Sequence, residues 1–143
     1  MNRKPLRNNP CYCINFRHAA NSLTKFYDQG FSSLDLTTNQ FSLLNDIYYL
    51  IECNKSELAI HARVERTTII RNLNILFEKG LIEEIAGKNN RNKLIRLTEK
   101  GKRIKIEGMG IWKQLQKKVK NLLGNEQITI LEDILVSISS LKF

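Results

Sequence analysis

No apolar run in the sequence approaches the roughly 20 residues that a membrane-spanning helix requires. The first residues also lack the continuous apolar core of a signal peptide, so the expected location is cytoplasmic and away from membranes. The three cysteines, Cys11, Cys13 and Cys53, do not make a disulfide framework and do not have structural-zinc spacing. The two histidines, His18 and His61, complete no recognisable ligand set, so neither metal nor cofactor is expected. No Cys–His–acid set and no phosphate-binding loop is present, which argues against an enzyme. Acidic residues are scarce as well, 14 against 23 Lys and Arg, for a net charge of +9.

With 42% apolar and 26% charged residues in 143, the composition is that of one globular domain with helices to spare for assembly. The charge is unevenly placed. Residues 54–105 hold 13 basic and 6 acidic side chains, and therefore +7 of the +9. A phosphate-binding face would show this asymmetry, whereas charge serving solubility alone would be spread along the chain.

That basic segment has a recognisable order. A short amphipathic helix, Lys55–Ala62, leads through Arg63-Val64-Glu65 to a second helix from about Arg66 to Lys79, stopped at Gly80. Two apolar-alternating runs follow, Leu81–Ala86 and Lys93–Leu97, around a turn at Lys88-Asn89-Asn90-Arg91. Helix, turn, helix and β-hairpin is the order of a winged helix-turn-helix. At 100° per residue, Ile69, Leu73, Leu76 and Phe77 make the second helix's buried stripe. Thr67, Arg71, Asn74 and Glu78 fall opposite, with Thr68 and Ile75 beside them. Arg71 has the fork that bonds guanine, and the threonines suit phosphate or a thymine methyl. Asn74 is a further candidate base contact on that face. At the hairpin, Lys88 and Arg91 can neutralise phosphates or enter a narrow minor groove.

Around this unit lie more helices. Residues 1–10 are polar and basic with two prolines and read as a flexible arm. From Cys11, Phe16, Ala19, Ala20, Leu23, Phe26, Tyr27, Phe31 and Leu34 recur at helical spacing. Thr37 and Gln40 form a capping-box pattern before a helix presenting Phe41, Leu44, Ile47, Tyr48 and Ile51 to one side. Asn54 and Glu57 offer the same device one helix later. Thr98 is expected to cap a long helix, Glu99–Leu123, closed by Gly124, and Gly108 and Gly110 should weaken or bend it. The last helix, about 126–141, carries a stripe of Ile128, Leu131, Ile134, Leu135, Ile138 and Leu141 wider than a lid needs. With the first helix, it is the expected dimer interface. The fold class is therefore mainly α with a small β-hairpin wing: a winged helix-turn-helix lobe at 37–98, with dimerisation helices at 11–36 and 99–143 in a single domain.

Ser56-Glu57-Leu58-Ala59, Thr68-Ile69 through Leu76-Phe77-Glu78-Lys79-Gly80-Leu81-Ile82, and Leu94-Ile95-Arg96-Leu97-Thr98-Glu99-Lys100-Gly101 together resemble the MarR family of bacterial transcription regulators. Arg66-Thr67-Thr68 and Asn72 further resemble a branch whose recognition helix opens Asp-Arg-Thr-Thr, with Glu65 here in place of the Asp. The resemblance implies a homodimer in which each recognition helix enters a major groove of a pseudo-palindromic operator, with wings in flanking minor grooves. The site residues it implies are Arg66, Thr67, Thr68, Arg71, Asn72, Asn74, Lys88, Arg91 and Lys93. The family's wing usually carries Asp-x-Arg; here it is Asn89-Asn90-Arg91, so the arginine stands without its acidic brace.

Some members of the family sense organic hydroperoxides through a cysteine near the start of the first helix. Cys13 holds that place, and Tyr27 matches the tyrosine that bonds the sulfur in those sensors. Arg17 stands where they carry a second tyrosine. Cys13 and Tyr27 are thus candidate redox-sensing residues, against the commoner case of a small cysteine packed in a helix. A dimer of this plan would also hold an effector pocket between the first, second and long helices, with Tyr27, Phe31, Tyr48, Tyr49 and Trp112 as candidate lining. The expected function is a repressor of transcription, binding double-stranded DNA and released by a small ligand or oxidant. The rival is a winged-helix protein-interaction module without a DNA target.

Overall fold

A computed structural model describes residues 10–89 and 92–142. The expected arm at 1–10, Pro10 apart, and the expected wing contact of Arg91 lie outside the described residues. The elements run α1 (Tyr12–Phe31), a short 3-10 turn (Ser32–Leu34), α2 (Thr38–Leu50), α3 (Lys55–Ala62), α4 (Arg66–Glu78), β1 (Ile82–Ala86), β2 (Lys93–Leu97), α5 (Glu99–Leu123) and α6 (Asn125–Ser139). Among the described residues, no helix is long and apolar enough to cross a membrane.

Local chemistry explains where these helices begin. The Thr37 hydroxyl accepts from the Gln40 amide while the Gln40 side chain accepts from the Thr37 amide, so two otherwise orphaned donors at the start of α2 are satisfied. Asn54 and Glu57 repeat the arrangement at α3, both at 2.9 Å. Thr98 caps α5 by accepting from the Gly101 amide at 3.0 Å. Glu65, by contrast, gives α4 no side-chain cap, as its longer side chain leads one to expect.

The core is built on α2 and α4. Leu44 and Ile47 of α2 and Ile69, Leu73 and Leu76 of α4 are essentially inaccessible to solvent, together with Phe31, Leu58 and Ile95. Phe31 stacks on Phe41 with ring centroids 4.5 Å apart. The Phe41 ring also lies where a Cβ on Gly108 would have to sit. α5 runs unbroken for 25 residues, and the missing side chain of Gly108 lets the long helix close on α2.

The wing is antiparallel, with Ile82 paired to Leu97 and Ala86 to Lys93. Its β2 strand has a second partner that the sequence did not announce. Cys53, in the α2–α3 connection, exchanges two backbone hydrogen bonds with Ile95, at 3.1 and 2.8 Å, and adds a third short edge to the sheet.

Tyr48 and Ile51 depart from the inward stripe expected of α2. Tyr48 is exposed, and its ring receives the Lys105 ammonium 3.8 Å from the centroid, so a cation–π contact takes the place of core packing. Ile51 ends the helix at φ 66°, ψ −63°, with the Glu52 amide donating to the Leu50 carbonyl at 2.7 Å. This is a γ-turn of the rare positive-φ kind, centred on a β-branched residue. Such a conformation costs on the order of 1–3 kcal/mol. Because the Ile51 side chain is 76% exposed, it recovers almost nothing by packing. Ile51→Gly is expected to raise stability by about 1 kcal/mol, relief of strain exceeding the glycine's added unfolded-state entropy. Urea unfolding measures it; a lower midpoint would show that the turn is unstrained.

Candidate nucleic-acid interface

The turn between α3 and α4 is closed by backbone alone. Arg63 takes the left-handed conformation, φ 52°, and the Arg63 and Val64 amides both donate back to the last turn of α3. At the far end of α4, Gly80 at φ 67° lets the Leu81 amide reach the Leu76 carbonyl at 3.0 Å. Four further bonds fix this end. Thr98 donates its hydroxyl to the Gly80 carbonyl at 2.7 Å, and Lys100 its ammonium to the Lys79 carbonyl at 2.8 Å. Lys79 in turn donates to the Asp35 carbonyl and, at 2.8 Å, to its carboxylate. The helix is thereby tied to the wing's exit and to the α1–α2 connection. Its outward face is presented by a rigid mount.

That outward face carries Arg66, Thr67, Arg71 and Asn74, all exposed. Among the described residues no carboxylate pairs with Arg66, Arg71 or Lys88, which leaves these cations available to an external anion. Thr68 and Asn72 sit differently. Both are half-buried and line a small cavity of about 100 Å³ with Asn39, Ser42 and Asp46 of α2. Thr68 and Asn72 thus stand at the edge where α4 meets α2, not on the outward stripe. Ile70 went unassigned in the sequence-derived set, yet it is exposed beside Thr67 and Asn74. The signal was there: at 100° per residue Ile70 falls about 60° from Thr67 and about 40° from Asn74.

The wing carries Lys88 exposed near its tip. Lys93, also exposed, pairs with Glu84 at 3.2 Å, an exposed bond that a phosphate can replace at little cost. At the wing's base Arg96 pairs with Glu83 at 2.8 Å and with Glu52 at 3.7 Å, both exposed bonds. Glu52 belongs to the same connection as Cys53, so Arg96 and the Cys53–Ile95 bridge together fix the wing to the α2–α3 corner.

Cys13 and Tyr27 are not brought together within one chain. Both lie on α1, separated by about 21 Å of helical rise. Tyr27 is buried, its hydroxyl donating to the Gln116 side chain of α5. Cys13 is exposed. Cys53 is its opposite, 1% exposed, with its thiol pushed up to about 11 by burial and then by the nearby Glu57 and Asp46 carboxylates. At pH 8, iodoacetamide is expected to alkylate Cys13 in the folded protein and Cys53 only after denaturation, as read by mass spectrometry. Equal labelling rates would contradict the burial. Among the described residues no three His, Cys, Asp or Glu side chains gather as a metal site would need.

A two-helix reader mounted beside a hairpin wing, with long helices before and after, defines a winged helix-turn-helix protein. The family profile described as MarR matches residues 36–93, the lobe from before α2 to the start of β2. MosR, a transcriptional regulator of M. tuberculosis solved in complex with DNA, is 34% identical over 90% of this chain and 98% of its own, with a TM-score of 0.70. A cysteine-to-serine mutant of E. coli MarR, complexed with operator DNA, superposes at a TM-score of 0.80. It is 23% identical, over 87% of this chain and 91% of its own. A probable transcriptional regulator from Pseudomonas aeruginosa shares the fold at a TM-score of 0.81, with 19% identity over 89% of this chain and 96% of its own. Curated proteins contain no match to the sequence. The chain belongs to the MarR family.

Proposed function

We propose that the protein is a homodimeric transcriptional regulator that binds double-stranded DNA at a pseudo-palindromic site. One observation carries the reading: α4 presents Arg66, Thr67, Arg71 and Asn74 outward, on a helix clamped at its far end and flanked by a basic wing. MosR and MarR, solved on DNA, are the relatives that support it. Dimerisation is supported by α6, which buries no residue against its own chain although Ile134, Leu135 and Ile138 project from it and exposed Leu141 follows its end. Arg71 would contact base edges, and Arg66, Thr67 and Lys88 phosphates, with Asn74 a secondary base contact. Lys93 and Arg91 would add phosphate contacts from the wing. Thr68 and Asn72, at the α2 edge of the helix, would reach DNA only at its margin.

The proposed direction of control is repression, released by a small effector. A cavity of about 310 Å³ between α1, α2 and α5 is lined by Tyr27, Phe31, Tyr49 and Trp112, with Phe41, Met109 and Asn45. Tyr48, expected there, lines a separate cavity of about 830 Å³ at the wing's base. The Asn45 side-chain carbonyl is buried without a hydrogen-bond partner among the described residues, so an aromatic effector with a donor group would satisfy it.

The test is retention of DNA from the chain's own upstream region. Binding is expected at low salt and should fall about a thousandfold or more between 50 and 200 mM salt, the response of a site that neutralises six or more phosphates. Failure to retain any such duplex at low salt would favour the protein-interaction reading.

A further inference from the structure

We propose that Ile70 reads a thymine methyl group in the major groove, so that the site discriminates T through an apolar contact as well as through hydrogen bonds. The inference rests on the DNA-binding reading above and adds to it a residue whose role is base discrimination. Of the large apolar side chains on α4, Ile70 is the one that is exposed, at 37%. Ile69, Leu73 and Leu76 are buried, and Ile75 and Phe77 are half-buried. Its neighbours on the outward face, Arg66, Thr67, Arg71 and Asn74, are all polar.

When such a face closes on DNA, Ile70 is desolvated along with its neighbours. Against phosphates or the nitrogen and oxygen edges of bases it would strip water from groups it cannot bond, a net loss. The groove floor offers one apolar projection, the C5 methyl of thymine, and contact with it turns that loss into a gain. The side chain suits the purpose. A β-branched residue in a helix holds essentially one rotamer, so Ile70 presents its methyl groups at a fixed place with little entropy left to lose. Arg71, next along the chain, would then fix an adjoining guanine while Ile70 senses the neighbouring T.

The experiment uses the full-length protein and a duplex it selects from a randomised double-stranded pool. Each thymine of that duplex is replaced, singly, by deoxyuridine, which removes the methyl and nothing else. Wild-type affinity is expected to fall about fourfold per half-site at one symmetry-related thymine, the worth of one buried methyl. In Ile70→Ser that sensitivity should vanish, and Ile70→Val, which keeps the branched methyls, should retain it. Thermal melting by circular dichroism checks that both variants fold. A selected duplex indifferent to every such replacement overturns the inference, as does an undiminished fourfold effect in Ile70→Ser. If no duplex is retained, this inference falls together with the DNA-binding reading; the first two failures overturn it alone.

Discussion

The double variant Ile134→Asp, Ile138→Asp is expected to be monomeric at micromolar concentration and to lose about 10²–10⁴-fold in affinity for a palindromic duplex. In the single chain every residue of α6 is at least partly exposed. Ile134 and Ile138, four apart, lie on one face of it, with Leu135 beside them and Leu141 exposed just past its end. Each such side chain is worth about 1.5–3 kcal/mol when fully buried, and a two-fold interface counts each twice. On α1, Tyr12, Phe16 and Leu23 are exposed too and extend the same requirement for a partner. Placing two carboxylates on that face removes the apolar gain and adds like-charge repulsion across the axis. The DNA penalty follows from geometry alone, since a monomer engages one half-site and forfeits the effective concentration that the linked second reader supplies. Because α6 buries no residue against its own chain, the lobe around Leu44, Leu73 and Ile95 should stay folded. Sedimentation and duplex titration on one preparation decide it. A variant that remains dimeric would mean that the interface lies elsewhere. A monomer with undiminished affinity would mean that the reader acts alone.

The features legible in the sequence were those set by short-range rules. Thr37 with Gln40, Asn54 with Glu57, and Thr98 are caps fixed by neighbours three residues apart, and each forms as expected. The stripe Ile69, Leu73, Leu76 follows from helical pitch. What escaped depends on contacts distant along the chain. Cys53 meets Ile95 across two helices and a strand. Tyr48 stands outside the core with the ammonium of Lys105, far along the chain, over its ring. Gly108 reads locally as a weak point in α5, and its second role, making room for the Phe41 ring, depends on α2. The candidate interface shows the same division. Angle alone put Thr67, Arg71 and Asn74 on the outward face, whereas Thr68 lies at its margin, where the position of α2 decides exposure. Ile70 was passed over because an apolar residue there resembles neither core nor a polar contact.

Arg71→Ala is expected to weaken binding to the selected duplex by about 1–3 kcal/mol per half-site, hence about 2–6 kcal/mol in the dimer, and to relax the preference for guanine at one position. Arg71 is exposed on α4, and among the described residues no carboxylate pairs with it, so its guanidinium enters the complex without first breaking an internal bond. Its planar fork matches the O6 and N7 acceptors of guanine together, a geometry that an ammonium cannot copy. Arg71→Lys therefore separates charge from shape: it should recover most of the nonspecific affinity at low salt but little of the discrimination. Lys88→Ala supplies the contrast. A phosphate contact near the wing tip should weaken all duplexes alike and lower the salt slope by about one per site, leaving base preference as it was. Competition between the selected duplex and single-base variants, at two salt concentrations, measures both quantities. If Arg71→Ala lost affinity evenly across all sequences, as Lys88→Ala should, α4 would be gripping the backbone, and the reading of bases would have to be sought in another element.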